Sequence, residues 1–159
     1  MEPVNIDVVD VPQYIPEFLS IKYSKIPNAG LGIFANCNIS KGTFLGNYMG
    51  EVYHNKAEKA NCPDNHYIFS TPNFYIDASD VNKSNFTRFM NCCYNNDVKN
   101  ISVINYVDQK KSSIFTNTNG DQIDIQNYVF FYANRNILEG EELLYDYGEN
   151  YRKKLNIHL

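Results

Sequence analysis

Apolar residues in this chain fall into short runs broken by glycine, proline and asparagine, and no stretch sustains the helical period. Leu19 to Tyr23 is the first run, ended by Lys25-Ile26-Pro27-Asn28, and Gly30-Leu31-Gly32 reads as a flexible bend before Ile33-Phe34-Ala35. Lys41-Gly42 marks a turn, followed by a strand through Phe44-Leu45-Gly46-Asn47-Tyr48-Met49 that stops at Gly50-Glu51. Lys56 to Ala60 predicts one short helix, closed by Cys62-Pro63-Asp64-Asn65. Tyr67-Ile68-Phe69 and Phe74-Tyr75-Ile76 flank Thr71-Pro72-Asn73 as a hairpin would, and Ser84 to Cys93 predicts a helical turn or two. Ile101 to Val107 alternates like a strand. Ser113 to Thr116 and Ile123 to Phe131 flank Asn119-Gly120, the strongest local turn signal, and Leu143-Leu144-Tyr145 is the last strand, after the Glu139-Gly140 turn. The pattern predicts a mostly β domain with short helices.

With 159 residues there is room for one domain and short flanks. Met1 to Phe18 carries three prolines and no period, so it reads as an arm (1–18) before a domain at 19–151 and a tail at 152–159. A hydrophobic share of 43% supports a real core and argues against disorder. The net charge of −4 disfavours direct nucleic acid binding and suits a basic protein partner. No segment reads as a membrane span, and the first residues lack the basic and apolar regions of a secretory signal. Cys37, Cys62, Cys92 and Cys93 contain no C-x-x-C, and adjacent Cys92-Cys93 makes a poor disulfide or zinc pair. Reduced thiols, no metal and an intracellular setting are the expectation.

Four separated segments carry more specific information. In order they are Asn28-Ala29-Gly30-Leu31-Gly32-Ile33-Phe34-Ala35, then Tyr48-Met49-Gly50-Glu51, then Arg88-Phe89-Met90-Asn91-Cys92, and finally Gly140-Glu141-Glu142-Leu143-Leu144-Tyr145-Asp146-Tyr147-Gly148. This ordered set resembles the SET-domain lysine methyltransferases, whose pattern runs from a G-x-G bend through Y-x-G-E and R-F-x-N-H to G-E-E-L-x-Y-D-Y-G. The likeness spans roughly residues 20–151. Cys92 stands where most SET domains have His, and Asn91-Cys92, with Ile26-Pro27-Asn28 ahead of the bend, is similar to the PR branch of the same superfamily. Tyr145-Asp146-Tyr147-Gly148 keeps the SET form.

The resemblance implies the SET fold, small twisted sheets around a threaded pseudoknot where the Arg88–Cys92 and Tyr145–Tyr147 segments meet. It implies S-adenosylmethionine as cofactor, with backbone at Ala29, Gly30 and Leu31 against it. Asn91 and the main chain of Cys92 are then expected on the adenine side, and Asn65 at the methionine end. Tyr147 matches the family's active-site tyrosine, which would also border the cofactor, and Tyr48 matches a second tyrosine of the lysine channel. Tyr145 occupies a position that is Phe or Tyr in the family; a Tyr there leaves less room for added methyls, which implies a bias to monomethylation. A lysine amine, with pKa about 10.4, must lose its proton before attack, and an apolar channel beside a sulfonium favours that loss. Whether Tyr147 takes the proton stays open.

The implied activity is protein-lysine methylation, with histone tails as the leading substrate, a chromatin role and a nuclear location, cytoplasm being the alternative. The peptide is expected beside a sheet edge. Two rival readings remain: a PR-like interaction module without strong activity, and a methyltransferase of a non-histone protein. Oligomeric state is open. No cysteine follows Tyr147, so the tail with Tyr151, or a neighbouring subunit, is expected to cover the channel that a zinc cluster closes in many relatives. Lys110 to Asp124 reads as an added hairpin.

Overall fold

The computed structural model describes residues 14–55, 67–94, 97–107, 113–125 and 127–148. Strands β1 (Leu19–Tyr23) and β2 (Leu31–Ala35) pair antiparallel, with Leu19 opposite Ala35 and Tyr23 opposite Leu31. Strands β3 (Phe44–Asn47), β8 (Ile101–Val107) and β11 (Asn127–Ala133) form a sheet in the order β3-β11-β8. A second three-stranded sheet holds β4 (Glu51–Tyr53), β6 (Tyr75–Asp77) and β5 (Ile68–Ser70), in that order. Strands β9 (Ser113–Thr116) and β10 (Gln122–Ile125) make a hairpin. The remaining pair, β7 (Asn91–Cys92) and β12 (Leu144–Tyr145), is parallel.

Side-chain alternation explains which faces meet. On β11, Val129, Phe131 and Ala133 are fully buried, whereas Phe130 turns the other way and meets Phe44 edge to face at 5.3 Å. Val129, Phe131 and Ala133 join Ile33, Leu45, Ile76, Met90, Ile101 and Leu143 in one core shared by the sheets. Short strands can persist here because several small sheets bury their apolar faces against one another.

The predicted β class holds, and β1 and β8 lie at the predicted positions. Other predicted elements shift. Only Gly30 of the glycine bend lies outside a strand; Leu31 and Gly32 already pair with β1, so the flexible part is shorter than the composition suggested. The strand from Phe44 ends at Asn47, and the predicted stop at Gly50-Glu51 leads straight into a further strand, Glu51–Tyr53. Within Ser84–Cys93 the helical part is a 3₁₀ turn, Phe86–Phe89, capped by Asn85, whose side chain accepts the Thr87 N–H at 3.1 Å. The single run Ile123–Phe131 divides, because residues up to Ile125 pair with β9 while those from Asn127 pair with β8 and β3. The helix expected at 56–60 lies outside the described residues.

The added hairpin is docked rather than free. At its tip the Thr118 N–H donates to the Ser84 carbonyl at 2.6 Å and the Asn117 amide to the Asn82 carbonyl at 2.7 Å. Asn117 and Thr118 are both buried, so the tip braces the loop that leads into the 3₁₀ turn.

Candidate active site

The site is organised by the parallel β7–β12 pair, where Leu144 lies opposite Asn91 and Tyr145 opposite Cys92. Two dipeptides this short cannot hold each other alone. Asn100 completes the crossing: its amide donates to the Glu142 carbonyl at 2.9 Å and its side-chain oxygen accepts the Leu144 N–H at 2.9 Å. Its own backbone N–H donates to the Leu144 carbonyl and its carbonyl accepts the Asn134 N–H. Beyond the pair, the Cys93 N–H donates to the Tyr145 carbonyl at 2.9 Å, and Cys92 Sγ accepts the Tyr147 N–H at 3.4 Å. The thiol at position 92 therefore fills its place and also fixes the backbone of Tyr147.

The three predicted tyrosines come together. Tyr145 packs tilted against Tyr147 at 4.6 Å and Phe131 at 4.8 Å; Phe69 links this group to Tyr48, at 6.0 Å from Tyr145 and 5.4 Å from Tyr48. Tyr147, half-buried, donates its hydroxyl to the Met90 carbonyl at 2.6 Å, and Tyr48 donates to the Tyr67 carbonyl at 2.6 Å. Burial pushes the Tyr48 phenol well above the usual range, although the positive charge of Arg88 opposes this. Burial likewise raises Tyr145, helped by the neighbouring phenols and a hydrogen bond to the Tyr147 side chain. Both groups are neutral phenols at neutral pH.

Ahead of β2 the chain turns sharply, with Asn28 at φ +64° and Gly30 at φ +71°, the left-handed region that glycine enters without strain. Ser24 N–H donates to the Gly30 carbonyl at 2.7 Å and Ala29 N–H to the Ile26 carbonyl at 3.2 Å. A Cβ at Gly30 would have nothing within 4 Å, so the bend borders open space. Asn91 reaches across and donates its amide to the Leu31 carbonyl at 2.9 Å. The structure thus joins Ala29-Gly30-Leu31, Asn91, Cys92 and Tyr147 around one crossing. Asn65 and Tyr151 lie outside the described residues.

Three residues absent from the sequence-based candidates are built into the same place. Asn100 has just been described. Glu142, 8% exposed, accepts from Ser24 Oγ at 2.7 Å, Lys25 N–H at 3.0 Å and Asn91 at 3.3 Å. Arg88 lays its guanidinium over the Tyr67 ring at 4.2 Å. Glu142 and Arg88 both belong to motifs already singled out, yet only the spatial neighbours show what their side chains do. A cavity of about 190 Å³ also borders Glu142, Lys25, Asn100 and Arg135. It is smaller than the roughly 300–1,000 Å³ of pockets that bury a ligand. Cys92, Cys93 and Asp146 place their potential ligand atoms within 4.8 Å of one another.

Comparison with known proteins agrees with this arrangement. The SET domain profile matches residues 30–148. The histone-lysine N-methyltransferase set-17 of Caenorhabditis elegans is 31% identical over 140 residues, covering 87% of this chain and 44% of that protein. The chain therefore spans less than half the length of this curated relative. Among solved structures, KRYPTONITE in complex with mCHG DNA and SAH superposes with TM-score 0.57 and 26% identity, over 82% of this chain and 23% of that one. The ctPRC2 structure, autoinhibited and bound to S-adenosylmethionine, shares the fold at TM-score 0.60 and 22% identity, over 87% of this chain and 16% of that one. A profile that runs through both strands of the parallel crossing, and a relative aligned along most of the sequence, lead to one conclusion: this chain belongs to the SET domain family.

Proposed function

We propose that the chain is an S-adenosylmethionine-dependent protein-lysine N-methyltransferase, acting on histone tails with a bias to monomethylation. The observation that carries this reading is the Tyr147 hydroxyl. It sits beside the Asn91–Cys92 crossing, with its proton engaged on the Met90 carbonyl and the Tyr145 ring packed against it. The family relation points the same way, as does the SAH held by the related KRYPTONITE complex.

The residues fit the donor. The bend at Gly30 borders open space, its backbone is close-packed on the other side by Asn91, and no side chain at Gly30 blocks approach. Ala29, Gly30, Leu31, Asn91 and the main chain of Cys92 would hold it, with Asn65 at its amino-acid end. When bound, S-adenosylmethionine supplies a methyl group activated by positively charged sulfur.

The chain's own groups then position the acceptor. A phenol whose hydrogen is committed to a carbonyl offers only lone pairs, so Tyr147 and Tyr48 can accept N–H bonds from a lysine amine and aim its nitrogen. Tyr48 and Tyr145 stay protonated, so neither serves as a phenolate base. Phe69, Phe131 and Tyr145 pack together here, and exclusion of water beside them, with the positive sulfur of a bound donor, would favour loss of the ammonium proton. Tyr145, hydrogen-bonded to Tyr147, narrows the space for an already methylated nitrogen, which supports monomethylation. A net charge of −4 suits a lysine-rich tail, and a nuclear location follows from that substrate.

Cys92 in place of His favours a second reading, a PR-like module that binds partners without strong transfer activity. Mixed histones incubated with protein and S-adenosylmethionine, read by mass spectrometry, separate the two. Monomethyl-lysine that Tyr147→Phe reduces by about 10²-fold or more supports the enzyme. Cofactor binding by calorimetry with no transfer to any histone supports the second reading. Transfer only to non-histone proteins on a peptide array would replace the histone substrate.

A further inference from the structure

Glu142 stands in the closing motif, and its side chain reaches the glycine bend. Its backbone is fixed twice, by a bridge to Phe34 in β2 and by the Asn100 amide on its carbonyl. From that fixed point the carboxylate gathers donors that all serve one loop. Ser24 Oγ reaches both oxygens, at 2.7 and 3.1 Å, and Lys25 N–H reaches one at 3.0 Å. Ser24 Oγ in turn accepts the Ile26 N–H at 3.0 Å, and Ser24 N–H holds the Gly30 carbonyl. The Asn91 amide is shared between Glu142, at 3.3 Å, and the Leu31 carbonyl, at 2.9 Å. Gly32 packs against the same group: a Cβ there would stand 2.5 Å from Glu142 Oε2, so the carboxylate would have to shift.

Glu142 reaches one strand residue through its side chain, Asn91 of β7, at 3.3 Å; its shorter bonds, from Ser24 Oγ and Lys25 N–H, go to the bend. We infer that Glu142 is a positioning residue for the methyl donor, holding the bend from Ser24 to Leu31 and the Asn91 amide in one arrangement without touching the reacting atoms. The inference rests on the proposed cofactor site at Gly30.

Glu142→Gln tests it with little change of shape. An amide NH₂ in place of one oxygen sets donor against donor at Asn91 or at Lys25, and turning Asn91 to relieve this would oppose its oxygen to the Leu31 carbonyl. Calorimetry should show S-adenosylmethionine bound about tenfold to a hundredfold more weakly than by the wild type. KM for the donor should rise with it, while kcat at saturating donor and KM for the histone substrate stay close to the wild type. Before any donor is added, hydrogen exchange at the Lys25 amide should quicken. An unaltered donor Kd, or a fall in kcat with KM unmoved, overturns the inference. If Glu142→Gln fails to fold, Ser24→Ala decides: a weaker donor Kd supports the role and an unchanged one refutes it. A wild-type protein that binds no donor would instead refute the cofactor site itself, a result separate from any variant.

Discussion

Replacing Asn100 by alanine should destabilise the protein more than any surface substitution. Asn100 is 1% exposed, and its side chain satisfies two buried backbone groups, the Glu142 carbonyl and the Leu144 N–H. Alanine leaves both without a partner. Each unsatisfied buried group costs about 1–3 kcal/mol, so the loss should be about 2–6 kcal/mol. Whole domains are stable by only about 5–15 kcal/mol, so much of the margin would go. At about 2–4 °C per kcal/mol for a chain of this size, the melting temperature should fall by roughly 5–20 °C. With 13 tyrosines and no tryptophan, urea unfolding is best followed by tyrosine fluorescence and circular dichroism. Asn100→Asp sharpens the test. It keeps an acceptor for Leu144 but sets a carboxylate oxygen against the Glu142 carbonyl, so at neutral pH it should be worse than alanine. Its folded-state pKa would lie above the unfolded value, so its stability should recover as pH falls and the new O–H donates to that carbonyl. A loss below about 1 kcal/mol for alanine, or an aspartate variant stabler than alanine at neutral pH, would refute the reasoning.

Three further outcomes follow from the same geometry. Tyr145→Phe removes the hydroxyl that meets Tyr147 and should raise the share of dimethyl- and trimethyl-lysine; mass spectra with an unchanged product ratio would count against the proposed limit. Gly50→Ala would drive a Cβ into the Asp77 backbone carbonyl in β6, where the neighbour cannot swing away, so thermal melts should show about 3 kcal/mol lost or more. At Glu141, burial acts to raise the pKa, but the hydrogen bonds from Arg135 and the Leu138 N–H outweigh it and hold the carboxyl below its usual range. That contribution is present above the unfolded pKa and disappears as pH falls through the folded one. Arg135→Ala should therefore cost at most about 1 kcal/mol at neutral pH, and the gap to the wild type should close in acid; a gap that widens there would contradict the sign.

Local pattern went far because its signals are local. The alternation of Ile101 to Val107 and the run Leu19 to Tyr23 became β8 and β1, since period-two alternation reflects one buried face wherever the strand ends up. Motif order carried the family, because Tyr147, Asn91 and the glycine bend are recognisable one segment at a time. Pattern failed where the partner decides. Ile123 to Phe131 reads as one strand, yet its two ends join different strands, and the polar pair Gln126-Asn127 at the division names neither partner. Asn100 read as one asparagine among many, and three of its four backbone bonds exist only because the chain at Glu142–Leu144 passes beside it.

What the sequence determined by itself is the inventory: short strands, the turn glycines, and a spaced set of chemical groups that marks the SET family. Tertiary structure alone decided which of those groups touch. Ser24 and Glu142 lie 118 positions apart, and their 2.7 Å hydrogen bond is set by a chain crossing. Hydrogen bonds and steric exclusion act over a few ångströms in space, with no regard for distance along the chain.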